Sequence, residues 1–173
     1  GGSKTSNTYL GYIFGASGYS DNSSYVPSSL KRVVISKGVT SIGYRAFSGC
    51  SGLTSIEIPS SVTSIGSSAF EGCSGLKEIT LPFVGGSKTS NTYLGYIFGA
   101  SSYSYNSSYV PSSLKRVVIS EGATCIEDYA FYGCSGLTSI EIPSSVTSIG
   151  GYAFSYTSSS LVVKINNYKY SLS

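Results

Sequence analysis

Histidine, methionine and tryptophan are all absent from this 173-residue chain. Without histidine there is no imidazole base, no Ser-His-Asp or Cys-His arrangement and no histidine-ligated metal site. Charged side chains are scarce, at 11% against about a quarter in ordinary domains. Solubility therefore falls to Ser, Thr, Asn, Gly and the hydroxyls of 16 Tyr. Such a composition is closer to secreted or surface proteins than to cytosolic enzymes. The net charge is +3, and no cationic run exceeds the pairs Lys31-Arg32 and Lys115-Arg116, so a nucleic-acid footprint is missing. No apolar run approaches the roughly 18 to 20 residues that a membrane span needs. No signal peptide is visible. With no Met and a start inside a repeat, the chain reads as a piece of a longer precursor, so a missing signal does not count against secretion.

What the chain has is repetition. Residues 53–75 read LTSIEIPSSVTSIGSSAFEGCSG, and the same words return over residues 137–154 as LTSIEIPSSVTSIGGYAF. Degenerate copies fill residues 30–52 and 114–136, each 23 positions before the fuller one. A fixed short period is the signature of a solenoid, in which each coil packs on its neighbours. A larger period of 84 contains the shorter one, because residues 1–29 recur with two changes at 85–113. One cycle is thus two 23-residue units followed by a 38-residue unit, 76–113.

Within a unit, Ile56 and Ile58 alternate with Glu57, which predicts a short strand with the isoleucines on one face. Pro59 lacks a donor and marks the strand's end. Ser60-Ser61 reads as a turn and residues 62–66 as a second extended piece. Residues 67–72 have no period of 2 and read as one tight helical turn closed by Gly72 and Gly75. Antiparallel hairpins are the alternative. Recurrence at 23 residues favours parallel stacking, since like side chains then fall above one another.

The pattern L-x-x-I-x-I-P-x-x-V-x-x-I-G-x-x-A-F-x-G-C resembles the BspA-like leucine-rich repeat family of bacterial surface proteins, from residue 30 to about 160. The resemblance implies a mainly β, right-handed parallel solenoid of about 23-residue coils, with a short helical turn per coil, longer inserted coils and a sheet on the concave side. It also implies a secreted or wall-attached setting and a role in adhesion or protein recognition. The division expected is a single solenoid over 1–173. Residues 1–29 are the tail of a long repeat, 30–75 two regular repeats, 76–113 a long repeat, and 114–160 two more. Residues 161–173 are a last strand and cap, with Lys164, Asn166, Asn167 and Lys169 giving the cap a polar face. In the long unit the usual core residues are missing, and Leu94, Ile97 and Phe98 are placed to stand in for them.

Few residues offer chemistry. Glu127 and Asp128 are the only adjacent carboxylates and read as a solvated turn. The mixed row Val34, Glu57, Thr80, Val118 and Glu141 is no paired-acid site. Gly-Gly-Ser-Lys-Thr-Ser, at residues 1 and 85, lacks the spacing and following helix of a phosphate loop. Cys50, Cys73 and Cys134 share one repeat position and read as small apolar core residues. Cys50 and Cys73 would lie about 4.8 Å apart on adjacent coils, within disulfide range, but stacked parallel side chains rarely give the torsion, so free thiols are expected. Cys125 replaces Ser41, as a reactive thiol or a drifted serine. No C-x-x-C pair suggests zinc. No metal, cofactor or catalytic residue is expected.

The informative stretch is the insert, where Tyr lies among Ser, Asn and Gly, the composition of adaptable recognition loops. Equally, half of these rings would serve to fill a wider coil. Tyr19, Tyr25, Tyr103, Tyr105 and Tyr109 are the candidate contact residues, with Lys31, Arg32, Lys115 and Arg116 on the concave strands. Three coils would separate the two inserts, by about 14 Å. The expected role is a non-catalytic module binding a protein or glycan at the bacterial surface; the rival is a structural spacer presenting other domains.

Overall fold

The computed structural model describes residues 9–165 and 168–171. The first Gly-Gly-Ser-Lys-Thr-Ser copy and the cap residues Asn166 and Asn167 lie outside the described residues. Six short strands stack in parallel, one per coil: β1 (Arg32–Val34), β3 (Ser55–Glu57), β5 (Glu78–Leu81), β6 (Arg116–Ile119), β8 (Ser139–Ile142) and β10 (Val162–Ile165). A seventh, β11 (Tyr168–Ser171), closes the sheet antiparallel to β10. Between them in the chain come the two-residue strands β2 (Ser41–Ile42), β4 (Ser64–Ile65), β7 (Cys125–Ile126) and β9 (Ser148–Ile149), which pair as β2–β4 and β7–β9 on a second wall. The parallel reading of the repeat is therefore right, and hairpins are excluded for the coils.

Register explains why the repeat works. Val33, Ile56, Ile79, Val117, Ile140 and Val163 lie side by side across the sheet. The leading leucines Leu53, Leu76, Leu114, Leu137 and Leu161 are all buried, each stabilising the coil by roughly 1.5–3 kcal/mol. Phe47 stacks on Phe70 with ring centroids 5.2 Å apart, and Phe131 on Phe154 at 5.6 Å.

The tight turn in each coil is made of successive three-residue hydrogen bonds and is not a run of helix. Ala46 N donates to Gly43 O, Ser48 N to Arg45 O and Cys50 N to Phe47 O, at 3.1 to 3.2 Å. Two left-handed residues break the helical path, a glycine (Gly72, φ 73°) and the residue before each Ala-Phe pair: Arg45, Ser68, Tyr129 and Tyr152. The turn is also a rung, since Phe47 N donates to Ala69 O at 2.7 Å and Phe131 N to Ala153 O at 2.8 Å.

Short helical pieces occur in the inserts instead. The first has 3-10 turns at Leu10–Phe14 and Tyr19–Asp21 and a single α-turn, α1 (Asn22–Tyr25). The second repeats them at Leu94–Phe98, Tyr103–Tyr105 and α2 (Asn106–Tyr109). Leu94, Ile97 and Phe98 do stand in for the missing core. Ile97 O accepts from Phe70 N at 2.8 Å and Leu94 N donates to Ala130 O at 2.8 Å, so the insert continues the rung from one coil to the next. Lying between two coils, Ile97 and Phe98 are 0% and 1% exposed, whereas Ile13 and Phe14, 84 positions earlier and packed on one coil, are 60% and 39% exposed.

Candidate functional site

On the sheet, the four cations do not form a basic patch. Arg116 projects between Glu78 at 2.7 Å and Glu141 at 2.8 Å, and Lys164 Nζ reaches Glu141 at 2.7 Å. The hydrogen bond to Glu78 holds the Arg116 pKa above its ordinary value, and the one from Lys164 holds the Glu141 carboxyl below its own. Lys31 Nζ donates to Ser28 O at 2.9 Å and Lys115 Nζ to Gly136 O at 3.1 Å, both turned to loop carbonyls. Arg32 is exposed, with no carboxylate within salt-bridge distance among the described residues, three strands from Arg116 in the same cross-strand row.

The remaining polar candidates have local duties. Asp128 Oδ1 accepts from Gly151 N of the next coil at 2.6 Å, and Glu127 accepts from the Cys125 thiol at 2.9 Å. That hydrogen bond is the main reason the Cys125 pKa is raised, so the half-buried thiol is held protonated. Residues 85–90 fold back on themselves, Ser87 Oγ accepting from Thr89 N and Ser90 N. Cys50, Cys73 and Cys134 are free and buried, and the Cys73 thiol donates to Phe47 O at 3.1 Å.

The insert tyrosines divide into two kinds. Tyr9 is buried and Tyr93 half-buried, with their hydroxyls on the carbonyls of Ala16 and Ala100. Tyr96 is partly buried against the core. Tyr19, Tyr25, Tyr103, Tyr105 and Tyr109 point outward. What holds them is a residue that sequence reasoning passed over. Asn106 is fully buried in α2; its Oδ1 accepts from Gly95 N at 2.8 Å and its Nδ2 donates to Tyr132 O at 2.9 Å. Asn22 does the same between Gly11 and Arg45. A side chain on Gly95 would strike the Asn106 carboxamide, which is why glycine stands there.

Fixed in this way, the Tyr103 ring stacks on Tyr129 at 4.1 Å and 15°, and Tyr129 stacks on Tyr152 at 5.4 Å and 7°. Tyr132 stands edge-on to Tyr103 and Tyr129, and Tyr156 edge-on to Tyr132. The five rings make an aromatic wall across three successive coils, and Tyr152 and Tyr156 at its end are 66% and 76% exposed. Tyr129, Tyr152 and Tyr156 all have φ of 57–58°, a left-handed conformation costing roughly 1–2 kcal/mol for residues other than glycine. Of the five, sequence reasoning named Tyr103 alone. The usable signal for Tyr129 and Tyr152 was the variable position before Ala-Phe, which recurs once per coil and is buried only at Ser68, where the second insert covers it. In the first cycle that position is Arg45, whose guanidinium lies 5.3 Å from the Tyr19 ring and 5.4 Å from Tyr44 while its Nη2 pairs with Glu71 at 3.0 Å.

A family model described as a BspA type leucine rich repeat region matches six copies, over residues 20–98 and 101–172. Among solved structures, a leucine rich cell surface protein from Faecalibacterium prausnitzii A2-165 is 33% identical over 81% of this chain and 34% of its own, with a TM-score of 0.49. A leucine-rich repeat protein from Bacteroides ovatus is 31% identical over 78% and 32%, with a TM-score of 0.44. The leucine rich repeat protein of T. pallidum is 26% identical over 81% and 60%, also at 0.44. The chain thus spans about a third of the first two and under two thirds of the last. No curated protein matches it. No helix among the described residues is long and apolar enough to cross a membrane.

Proposed function

The chain belongs to the BspA type leucine-rich repeat family, and on that footing we propose that it is a non-catalytic recognition module of a bacterial surface or secreted protein, with a protein or glycan as partner. The observation that carries this reading is the second insert. Its buried half completes the core, and its outer half, locked by Asn106, holds Tyr103, Tyr105 and Tyr109 outward in fixed positions. Rigid aromatic side chains give large contact area at small entropic cost. The low charge and hydroxyl-rich composition suit an extracellular setting.

The spacer reading draws on a different observation. Glu78, Arg116, Glu141 and Lys164 neutralise one another across four strands of the sheet, which ties up charges that would otherwise face a ligand. A glycan and host-protein array separates the two readings. The intact chain is expected to bind at least one probe, and the double change Tyr103→Ser, Tyr105→Ser to lose it. A chain that binds nothing on the array while folded is a spacer.

A further inference from the structure

The aromatic wall over three coils is more than the sum of the insert tyrosines. Stacked rings hide their inner faces from one another. Outward they offer the free face of the last ring, a row of ring edges and the phenol hydroxyls. None of the hydroxyls of Tyr103, Tyr129, Tyr132, Tyr152 and Tyr156 has a hydrogen-bond partner among the described residues, in contrast to Tyr9 and Tyr93. Three of the five rings stand on left-handed backbone that the turn has in every coil, Tyr129 and Tyr152 at the place of Arg45 and Ser68 and Tyr156 at the place of Gly49, Gly72 and Gly133, so the turn itself fixes where the rings stand.

Charge narrows the ligand. Arg116 and Lys164 are held by carboxylates on the sheet, and Lys88 and Lys115 by the carbonyls of Gly122 and Gly136. The charged groups next to the wall in the chain are Glu127 and Asp128, immediately before Tyr129. An anionic ligand would meet these two carboxylates beside the wall. Shape narrows it further. Two concavities among the described residues, one around Phe83 and Cys125 and one over β1, β3 and β5, are lined by other residues. A protein anchor seeks a pocket that excludes water around it; an open wall suits a flat ligand laid against it. Ring faces are negative and attract weakly positive C–H groups, while phenol hydroxyls both donate and accept. A pyranose has both features, C–H groups on its faces and hydroxyls around its rim.

We propose that the wall formed by Tyr103, Tyr129, Tyr132, Tyr152 and Tyr156 binds a neutral oligosaccharide, with sugar faces against Tyr152 and Tyr156 and sugar hydroxyls meeting the row of phenols. The inference rests on the recognition reading above and names its ligand class. The first cycle lacks this wall among the described residues, because Arg45, Ser48 and Ser68 replace Tyr129, Tyr132 and Tyr152.

The test is gel retardation in soluble neutral polysaccharides (hydroxyethylcellulose, laminarin, mannan and pullulan), with heparin as the acidic comparison. The variant is Tyr129→Asn with Tyr152→Asn, since asparagine tolerates the left-handed backbone and an unchanged urea midpoint shows that the fold is kept. The intact chain is expected to be retarded by at least one neutral polysaccharide and not by heparin, with affinity at least tenfold weaker in the variant. With no tryptophan in the chain, binding should also alter tyrosine emission. Equal retardation of both chains, or none of either, overturns the proposal. If a protein on the array binds and the variant loses it, the glycan assignment falls and the recognition reading stands. If array binding is absent as well, both fall.

Discussion

Asn106 and Tyr132 are tied by a 2.9 Å hydrogen bond from carboxamide to carbonyl, which fastens the tip of an insert to the coil beyond it. The other end of the same carboxamide takes the Gly95 amide. Asn106→Ala leaves both backbone groups without a partner in the interior. The expected loss is about 2–4 kcal/mol, read as a lowered urea midpoint. Ser107→Ala, one residue on and exposed, should cost under about 0.5 kcal/mol. Equal effects would show that the carboxamide is not the latch.

Phe98 and Phe14 are the same letter of the 84-residue cycle in unequal surroundings. Phe98→Ala should cost roughly 3–5 kcal/mol, as should Phe70→Ala, because both rings are buried within the phenylalanine row. Phe14→Ala, where the ring is 39% exposed, should cost less than half as much. Chemical denaturation of the three variants checks the order, and a small loss at Phe70 would refute the inward placement of the Ala-Phe pair.

How much of this was legible in advance follows from what repeats. The coils, their parallel order and the stand-in role of Leu94, Ile97 and Phe98 were readable because burial imposes a period on apolar residues. Asn22 and Asn106 were not, since one buried carboxamide in a Ser- and Tyr-rich stretch has no period to reveal it. The helical turn was expected because residues 67–72 lack alternation; left-handed Ser68 and Gly72 turn it into a set of reverse turns. Arg116 sat beside Lys115 in the sequence, and both were candidates for one contact surface on the concave strands. Neighbours in extended chain diverge, and Arg116 meets two carboxylates while Lys115 turns to Gly136. The ring partners of Tyr103, Tyr129 and Tyr132, lay 26 and 29 positions away, with no apolar period to point to them.

Acid should loosen the second half of the sheet. Glu141 titrates below its ordinary value of 4.5 in the folded chain, chiefly through its hydrogen bond with Lys164. A depressed carboxyl contributes stability that is full above the unfolded value and disappears as pH falls through the folded one. Stability should therefore be level down to about pH 4.5 and decline below it. Glu141→Gln should flatten part of that decline and cost about 1 kcal/mol or less per pair at neutral pH. Urea midpoints across the acid range would show it, and an unchanged acid slope in the variant would place the loss elsewhere.

The four cysteines should separate by access. Burial pushes the Cys50 pKa to about 11 and raises Cys73 and Cys134 as well, so none is a ready thiolate. Iodoacetamide on the native chain is expected to modify Cys125 alone, and slowly, given its bond to Glu127. In denaturant all four should react, as counted by mass spectrometry. Native labelling of Cys50 or Cys73 at the rate of Cys125 would contradict the core placement.

The rungs of the turn wall, Phe47 to Ala69 and Phe131 to Ala153, are bonds between backbone atoms. The side chain just before each Ala-Phe is consequently free of any part in spacing the coils. That place works like a line of movable type: Arg45, Tyr129 and Tyr152 are characters set on one backbone pitch, and Ser68 is a fourth that the second insert covers. Exchanging a character rewrites what the molecule displays and leaves the line standing. Duplicating an 84-residue block copies a whole phrase, which can then drift into a different message.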